Sequence, residues 1–331
     1  MAYRSIMLTN VSLIAIVGVS ACTAVVGSAQ AEPPPDFKNI DAALFTSESA
    51  PQSARARETM ITVPAGRYTL GRSDGPAIEQ PEHAVELQAF QIDRTEVTNA
   101  AFAEYLNALD ISVSTPFKAG RASRDDLSDD SVAVLMEESR SSGLYPIIAL
   151  DDAQARIGYR DGAFRVTQEY EDHPVTESTW AGARAYCEWR GARLPTEAQW
   201  EAAARGSDAS LYPWGNTAPD DSRVFVSGRT GVTGVVGDHP DGASELGALD
   251  MSGSLAEWTS SLMRPYPYDP DDGREAADQA GERVTRGGDY IYDANAATLT
   301  ATHRNGFSNA PGRGHRHIGF RCAADIDAQD G

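Results

Sequence analysis

The chain has 331 residues and a formal net charge of −20, and 41% of its residues are hydrophobic. The charge excludes nucleic acid and anionic membrane surfaces as favoured partners, because both would be repelled. The length and the apolar fraction are sufficient for one sizeable core, so we expect one domain with insertions.

Residues 1–31 have the features of a secretory signal peptide. Arg4 precedes an apolar run, residues 11–21, that is too short for a comfortable membrane span. One cleavage site resembles a bacterial lipobox and would make Cys22 the lipidated first residue; the other lies after Ala31, and an uncleaved anchor is a third alternative. We therefore expect a bacterial cell-envelope protein, periplasmic or an outer-membrane lipoprotein, with membrane contact only through a lipid anchor.

The next segment, residues 32–58, is rich in Pro, Ser and Ala and lacks apolar periodicity, which predicts a disordered tether. A domain over residues 59–326 and a short tail, residues 327–331, follow. An acidic insertion occupies about residues 110–160. Its apolar stretch, residues 132–136, is interpreted as a short amphipathic helix over a loop, and the insertion is open to interpretation as a functional lid or as surface decoration.

Local patterns predict an α+β domain. Apolar and polar residues alternate over residues 62–70 and 84–92, which predicts strands. Helical patterns cover residues 98–109, 179–190 and 196–205. Short strands between Gly, Asp, Asn and Ser turns dominate the remainder, without parallel βαβ units.

The third helix has the clearest boundaries. Thr196 is a suitable N-cap and Gln199, three residues later, completes a capping box. Gly206 supplies the residue that ends the helix. Trp200 and the alanines that follow it favour close packing against other backbone.

Seven sequence blocks follow one another in the chain: ITVPAGRYTLGR from Ile61, PEHAVELQAFQIDRTEVTNAAFAEYL from Pro81, HPVTESTWAGARAYCEWRGARLPTEAQWEAAARG from His173, LYPWGN from Leu211, LGALDMSGSLAEWTSS from Leu246, VTRGGDY from Val284 and HIGFRCAAD from His317. Together they resemble the domain of the formylglycine-generating enzymes, also called sulfatase-modifying factors, over about residues 60–325. The resemblance implies a single C-type-lectin-like domain with few helices, short strands and long loops.

The resemblance also implies a disulfide. Of the three cysteines, lipidation or cleavage removes Cys22 as a free thiol and leaves an even pair, Cys187 and Cys322. Their positions match a structural disulfide of the secreted relatives, so we expect Cys187 to bond to Cys322. The alternative is two unrelated buried thiols.

A calcium site is implied at the turn that begins at Asp250. Relatives bind calcium at the matching turn, and the ligands carried over are the Asp250 and Glu257 side chains with the Gly253 and Leu255 carbonyls. Carboxylate and carbonyl oxygens are the ligands that calcium prefers. The alternative is a solvated acidic turn that caps a helix.

The chain departs from the copper-dependent relatives at three positions. Those enzymes hold copper(I) with two cysteine thiolates near a His-Arg pair, which corresponds here to His303 and Arg304. The cysteine positions are occupied by Thr302 and Phe307, and Ala256 replaces a tryptophan of the substrate groove. Formylglycine production by the copper-thiolate route is therefore not expected, and copper is not an expected cofactor.

Other residues near the same loop remain candidates. His303, His315 and His317 offer imidazoles for iron or another transition metal, although a surface or packing role is the favoured interpretation. The relatives place their substrate groove at the strand and loop that correspond to these candidate residues: Asp289, Tyr290, Tyr292, His303, Arg304 and Asn305.

Three functional classes remain open. The favoured class is a calcium-stabilised binding protein that holds a peptide or glycan at the cell envelope without chemistry. The second is a non-copper, oxidoreductase-like enzyme that modifies a secreted peptide or siderophore precursor. The third is a display scaffold similar to the variable proteins of diversity-generating retroelements.

Overall fold

The computed structural model describes residues 59–109, 134–139, 143–150, 154–160, 162–227, 231–308 and 314–326, with residues 134–139, 143–146 and 308 described by their backbone alone. All of them belong to one compact unit of the chain. The predicted signal peptide with Cys22, the tether, the tail and much of the acidic insertion lie outside these residues. Within the described part, no helix has the length and apolarity needed to cross a membrane.

The amino-terminal strands form a small antiparallel sheet and a separate hairpin. Strand β4, Phe90–Asp93, pairs with β1, Met60–Val63, on one side and with β13, Ala323–Asp325, on the other. Strand β2, Gly66–Leu70, pairs with β3, His83–Leu87. Each predicted strand is thus divided in two. In the first the break falls at Pro64, which has no N–H to donate to a neighbouring strand.

The second sheet carries the candidate site. Its members are β9, Ala256–Leu262, β10, Glu282–Arg286, β11, Arg304–Ser308, and β12, Ile318–Gly319. Their order in the sheet is β11-β10-β9-β12. Pairing is antiparallel except between β9 and β12, which are parallel.

Two further hairpins complete the strands. Strand β5, Val134–Ser139, pairs with β6, Gly143–Ala149, and β7, Ile157–Arg160, pairs with β8, Ala163–Val166. The interpretation of the stretch at residues 132–136 as an amphipathic helix is therefore wrong for residues 134–136, the part that the structure describes. A short apolar run does not distinguish strand from helix by its periodicity, and here cross-strand hydrogen bonds with β6 decide the outcome.

The three predicted helices are present. They are α1, Asn99–Ala108, α2, Trp180–Trp189, and α3, Glu197–Arg205, and each begins after a threonine whose side chain accepts a backbone hydrogen bond. At α3, Thr196 and Gln199 form both bonds of the capping box. The helix ends at Gly206 with a φ of 62°, which glycine adopts without strain.

Of the three apolar clusters among the described residues, the two larger ones surround helices. One surrounds α1 and α2, where Phe102 stacks on Tyr186 with 5.5 Å between ring centroids. The other surrounds α3, where Trp200 is fully buried. A Cβ at Gly287, whose φ is 97°, would lie 3.2 Å from the Trp200 ring, so a glycine is required for this close approach.

The predicted disulfide is confirmed. Cys187 of α2 is bonded to Cys322, which directly precedes β13, and both residues are fully buried. The two cysteines are separated by 135 positions. Closing a loop of this length contributes about 4–5 kcal/mol in the chain-entropy description of disulfide stabilisation.

Candidate functional site

A buried charged network lies beneath the second sheet. Glu197 and Glu201 of α3 are fully buried, and Arg286 of β10 donates to Glu197 at 2.9 Å and to Glu201 at 2.7 Å. Burial alone would raise the pKa of Glu201, but Arg286 and Arg205 lower it below its ordinary value. The network therefore fixes the end of β10 by charge-assisted hydrogen bonds.

Arg304 belongs to this network rather than to a surface. It is 1% exposed, and its Nε and Nη2 donate to the Glu197 carboxylate at 2.6 and 2.7 Å. Its guanidinium also lies 4.0 Å from the centroid of the Tyr266 ring. The prediction that Arg304 belongs to the candidate surface is therefore wrong. Its side chain points inward because it pairs with the Glu197 carboxylate of α3.

Above the network lies a small, partly open cleft, and the empty space of about 200 Å³ there includes open solvent. Three residues of the predicted surface line it, namely Asp289, His303 and Asn305. The other lining residues are Ala256, Thr285, Arg286, Gly288, Asp293, Phe307 and His317. The structure thus brings together residues 286–289, residues 303–305 and His317.

Strand pairing and glycines position this cleft. Thr285 of β10 lies opposite Asn305 of β11 in the antiparallel register. Gly288 follows β10 with a φ of 69°, and a Cβ there would lie 2.6 Å from the Thr298 carbonyl oxygen. Only glycine allows the chain to turn here, and the turn brings Asp289 to the cleft.

The two aspartates of the cleft differ in exposure and in their hydrogen-bond partners. Asp289 is 1% exposed, and its Oδ1 accepts the N–H groups of Ile291 and Tyr292, each at 2.6 Å. Asp293 is more accessible, and its Oδ2 lies 3.4 Å from His303 Nε2 and accepts from Asn305 Nδ2 at 2.9 Å. The hydrogen bond from His303 lowers the pKa of Asp293, which favours its carboxylate form.

His303 lies between this aspartate and a second acid that we did not predict. Glu79 is fully buried at the end of a short 3-10 turn, and its Oε1 is 3.9 Å from His303 Nδ1. Its Oε2 accepts from Arg72 Nε at 2.9 Å and from Thr302 Oγ1 at 2.7 Å. No motif marks Glu79 in the sequence, since it lies more than 200 positions before the loop that it contacts.

Aromatic rings form one side of the cleft. Phe307 contacts His315 and His317 edge-to-face, at centroid distances of 5.3 and 5.5 Å. Tyr292 meets His317 in the same way at 5.0 Å. Burial lowers the pKa of His317, so the neutral ring is favoured and the cluster is largely apolar.

The two tyrosines of the predicted surface differ in their exposure to solvent. Tyr292 is 59% exposed and accepts a hydrogen bond from Arg316 at 2.8 Å. Tyr290 is buried and donates to the Arg316 carbonyl at 3.2 Å, and burial raises its pKa to about 12. We therefore keep Tyr292 as a residue near the cleft and leave Tyr290 out of the candidate site.

The three candidate imidazoles lie in the same region. The His315 and His317 ring centroids are 5.6 Å apart, and His303 lines the cleft with His317. Over the described ranges, no group of three His, Cys, Asp or Glu side chains is arranged to hold a metal ion. The arrangement gives packing and hydrogen-bonding roles to these rings and leaves a transition-metal site as a prediction.

The predicted calcium turn leads to a second acidic cluster, in which Glu257 is buried and Asp250 is partly buried. Asp250 has a φ of 58° and accepts the Gly237 N–H at 2.6 Å. Glu257 is fully buried; Arg321 donates to its two oxygens at 2.7 and 2.6 Å, and Trp200 Nε1 donates at 2.9 Å. Asp250 and Glu257 therefore share one electrostatic environment centred on Arg321.

A third carboxylate belongs to this cluster. Glu96 is 2% exposed and accepts the Leu255 N–H and the Ser254 hydroxyl, both at 2.8 Å. Burial, followed by the charges of Asp250 and Glu257, raises the pKa of Glu96 well above its ordinary value. The position of Glu96 beside the turn depends on tertiary structure and is not marked by a local sequence pattern.

The balance of carboxylates and cations in the cluster indicates whether these residues suit calcium. Glu96, Asp250 and Glu257 carry three carboxylates, and Arg321 supplies one positive charge against them. Buried carboxylates in excess of their cations require either protonation or a further cation. The donor set, which consists of carboxylates beside backbone carbonyls, fits calcium chemically.

The two positions that correspond to copper ligands carry other chemistry. Thr302 is fully buried and its hydroxyl bonds to Glu79. Phe307 places an aromatic ring in the cleft. Neither side chain is a soft ligand, and the only cysteines after Cys22 in the sequence are joined to each other as Cys187–Cys322.

Comparisons with known proteins find relatives over most of the chain. The chain is 30% identical over 304 residues to the formylglycine-generating enzyme of Streptomyces coelicolor, covering 84% of this chain and 94% of that enzyme. It is 31% identical over 281 residues to the inactive C-alpha-formylglycine-generating enzyme 2 of Bos taurus, with 80% and 87% covered. Relatives of both kinds, active and inactive, thus match at similar identity.

A solved structure supports the architecture. PvdO from Pseudomonas aeruginosa matches with a TM-score of 0.53 at 20% identity, over 81% of this chain and 94% of that chain. The predicted α+β, C-type-lectin-like fold is confirmed by this match and by the few helices and short strands described above. The family model for the sulfatase-modifying factor enzyme 1-like domain matches residues 46–326, and the chain therefore belongs to the sulfatase-modifying factor family.

Proposed function

We propose that this chain is a binding member of its family, exported to the bacterial cell envelope and stabilised by calcium. It holds a peptide or glycan at the surface around the cleft, where Tyr292 is exposed, and does not make formylglycine by the copper-thiolate route. The observation that carries this proposal is the pair Thr302 and Phe307, one bonded to Glu79 and the other part of an aromatic wall.

The environment of Thr302 supports the absence of copper chemistry. Copper(I) would need a thiolate at this position, and a buried carboxylate 2.7 Å from the side-chain oxygen would oppose a second negative charge. Phe307 fills the other position with a ring that offers no metal-binding atom.

Export is supported by the cysteine pattern. Disulfides form and persist in oxidising compartments such as the bacterial periplasm. The bond between Cys187 and Cys322 agrees with such a location. Together with the predicted signal peptide, it favours the cell envelope over the reducing cytoplasm.

Calcium would be held by the Asp250 and Glu257 side chains with the Gly253 and Leu255 carbonyls. When bound, it supplies positive charge to a buried cluster in which carboxylates outnumber cations. The left-handed backbone conformation of Asp250 and its hydrogen bond from the Gly237 N–H support this role. We propose a structural role, because the residues of the cluster are not among those lining the cleft.

The experiment is a paired assay on the mature protein. Binding to peptide and glycan arrays is measured beside formylglycine formation from a cysteine-containing sulfatase peptide with added copper(I). We expect selective binding and no formylglycine. Formylglycine at more than trace yield would overturn the proposal.

A second candidate is favoured by the position of His303. Its imidazole lies between Glu79 and Asp293 at the edge of the cleft, and such an arrangement suits proton transfer. This geometry supports a non-copper enzyme that modifies a secreted peptide or siderophore precursor. Covalent change of a captured ligand, lost in His303→Gln, would identify this second function.

A further inference from the structure

We infer that Glu96 is a positioning residue for calcium at the turn of residues 250–257. Its carboxylate orients the backbone of the turn and thereby leaves the Gly253 and Leu255 carbonyls available to the ion. The inference rests on the proposed calcium site and adds a residue that acts on the ion through the backbone. It depends on the conformation of the turn, on the partners of its carbonyl groups and on the way in which Glu96 is held.

The middle of the turn has a backbone conformation that residues with side chains rarely adopt. Gly253 and Ser254 have φ values of 74° and 52°, in the left-handed region. Glycine adopts this conformation without strain, whereas serine does so only where its surroundings hold it. Ser254 is 5% exposed, and its N–H donates to the Phe225 carbonyl at 3.0 Å. Groups from outside the turn therefore hold this residue.

Glu96 supplies two further contacts to the same residue and its neighbour. Its Oε2 accepts the Ser254 hydroxyl and its Oε1 accepts the Leu255 N–H, both at 2.8 Å. One carboxylate thus holds the side chain of the left-handed residue and the peptide group that follows it. Two bonds from one side chain to adjacent groups fix the orientation of that peptide group.

The three carbonyl groups of this segment differ in their partners. The Ser254 carbonyl accepts the Tyr290 N–H at 2.8 Å. Within the part of the chain that the structure describes, no group donates a hydrogen bond to the carbonyl oxygens of Gly253 and Leu255, although both residues are buried. Buried carbonyls normally have a partner, and carbonyl oxygens are ligands that calcium prefers. The orientation that Glu96 fixes therefore leaves two acceptors for a cation.

Glu96 is itself held from both sides. It is 2% exposed and lies in the connection between β4 and α1. Before it, the Arg94 carbonyl accepts the Leu249 N–H at 2.8 Å, and after it, the Val97 N–H donates to the Phe320 carbonyl at 2.9 Å. A side chain that orients metal ligands must be fixed by its own surroundings, and these backbone bonds fix Glu96.

The test measures calcium binding to the mature protein. The protein is freed of metal with a chelator, desalted and titrated with calcium chloride in a calorimeter, and magnesium chloride is the control for nonspecific divalent ions. We expect Glu96→Gln to bind calcium about 10–100-fold more weakly than the wild type, which is the usual loss when a residue that orients metal ligands is replaced. The amide keeps the shape of the side chain but has only one acceptor oxygen for the two donors.

Two further variants assign the effect to the turn. Ser254→Ala removes the hydroxyl that bonds to Glu96, and Ser254 is not a proposed ligand; we expect about two- to tenfold weaker calcium binding. Glu275→Gln is the matched control, because it makes the same chemical change at a carboxylate outside the turn that accepts the hydroxyls of Ser260 and Tyr268 at 2.7 and 2.8 Å. Its calcium affinity should equal that of the wild type.

Terbium(III), which binds at oxygen-rich calcium sites, gives a second measurement. Its luminescence lifetimes in H₂O and in D₂O report how much water is bound to the ion. We expect more bound water in Glu96→Gln than in the wild type, because water takes the place of a carbonyl that is no longer oriented. A purely structural role of Glu96 would leave the bound water unchanged, and that result would overturn the inference.

The outcomes separate the inference from the proposed calcium site. Absence of calcium binding by the wild type overturns both. Calcium binding by the wild type with equal affinity in Glu96→Gln, or with an equal loss in Glu275→Gln, overturns only the positioning role. A loss in Glu96→Gln without any loss in Ser254→Ala shows that Glu96 contacts the ion directly and also overturns that role. If Glu96→Gln does not fold, Ser254→Ala decides: weaker binding supports the positioning role and unchanged binding overturns it.

Discussion

Thr302 Oγ1 donates a 2.7 Å hydrogen bond to Glu79 Oε2. Both residues are fully buried. The same carboxylate oxygen accepts from Arg72, and the other oxygen faces His303. This contact joins the short 3-10 turn before β3 to the loop before β11, so the Thr302 hydroxyl has a structural role.

Thr302→Val should lower the free energy of unfolding by about 1–3 kcal/mol, because Glu79 would lose a donor while it remains buried. Urea denaturation followed by tryptophan fluorescence measures this change. Thr302→Ser is the matched control, since it keeps the hydroxyl and removes one methyl group. Equal stability of the valine and serine variants would contradict the role given to the hydroxyl.

Glu197→Gln tests the buried charged network. This change removes the charge that Arg286 and Arg304 both contact, and breaking such a buried pair lowers stability by about 3–5 kcal/mol. Thermal unfolding of the wild type and of the variant gives the comparison. The control is Asp325→Asn, whose partner Arg193 lies at the surface, so that its loss should change stability by no more than about 1 kcal/mol. Similar effects of both substitutions would contradict the network's contribution.

Much of the fold could be predicted because its signals are local. Thr196 and Gln199 identify the start of α3 within four residues of sequence, and the structure contains both bonds of that capping box. Residues 134–139 show where local reasoning fails. Their short apolar run is compatible with a helix or a strand, and pairing with β6 selected the strand.

The candidate site was predictable only where a motif marks it. Asp289 follows the RGG segment and Asn305 follows the His-Arg pair, and both line the cleft. Arg304 belongs to the same motif but turns inward, because its partner Glu197 lies on a helix more than 100 positions away. Glu79 is more distant still, so its contact with Thr302 required the folded chain.

Removal of the disulfide should destabilise the domain. The double variant Cys187→Ala and Cys322→Ala releases a constraint on a long loop, and loss of a native disulfide typically lowers stability by about 2–5 kcal/mol. Calorimetric unfolding of the oxidised wild type and of the double variant measures the change. The wild type unfolded with a reducing agent should match the double variant, whereas a variant as stable as the oxidised protein would contradict a structural role.

Calcium should stabilise the wild type and leave Asp250→Ala unaffected. The proposed ion binds the native cluster, so its binding free energy adds to the free energy of unfolding. Melting temperatures measured with calcium and with a chelator test this expectation, and magnesium serves as the control for nonspecific divalent ions. Identical melting temperatures of the wild type with calcium and with chelator would contradict the calcium assignment.

Protonation of His317 should make the aromatic wall sensitive to acid. Burial lowers the pKa of His317 below its ordinary value of 6.5, so the unfolded chain binds this proton more readily than the native protein does. The contribution of the neutral ring to stability is therefore present above pH 6.5 and is lost as the pH falls through the lowered pKa. Asp289 and Asp293 oppose this shift, whereas Arg316 adds to it.

His317→Gln removes this titration, so the difference in unfolding free energy between wild type and variant should change as the pH falls from about 8 to 5 and should be constant above that window. Urea denaturation at unit pH steps provides the measurement. The pKa of His173 is also lowered by burial, but His173 is present in both proteins and cancels from the difference. If the difference in unfolding free energy is constant over the whole pH range, His317 has the same pKa in the native and unfolded chain. That result would contradict a neutral His317 ring in the aromatic wall.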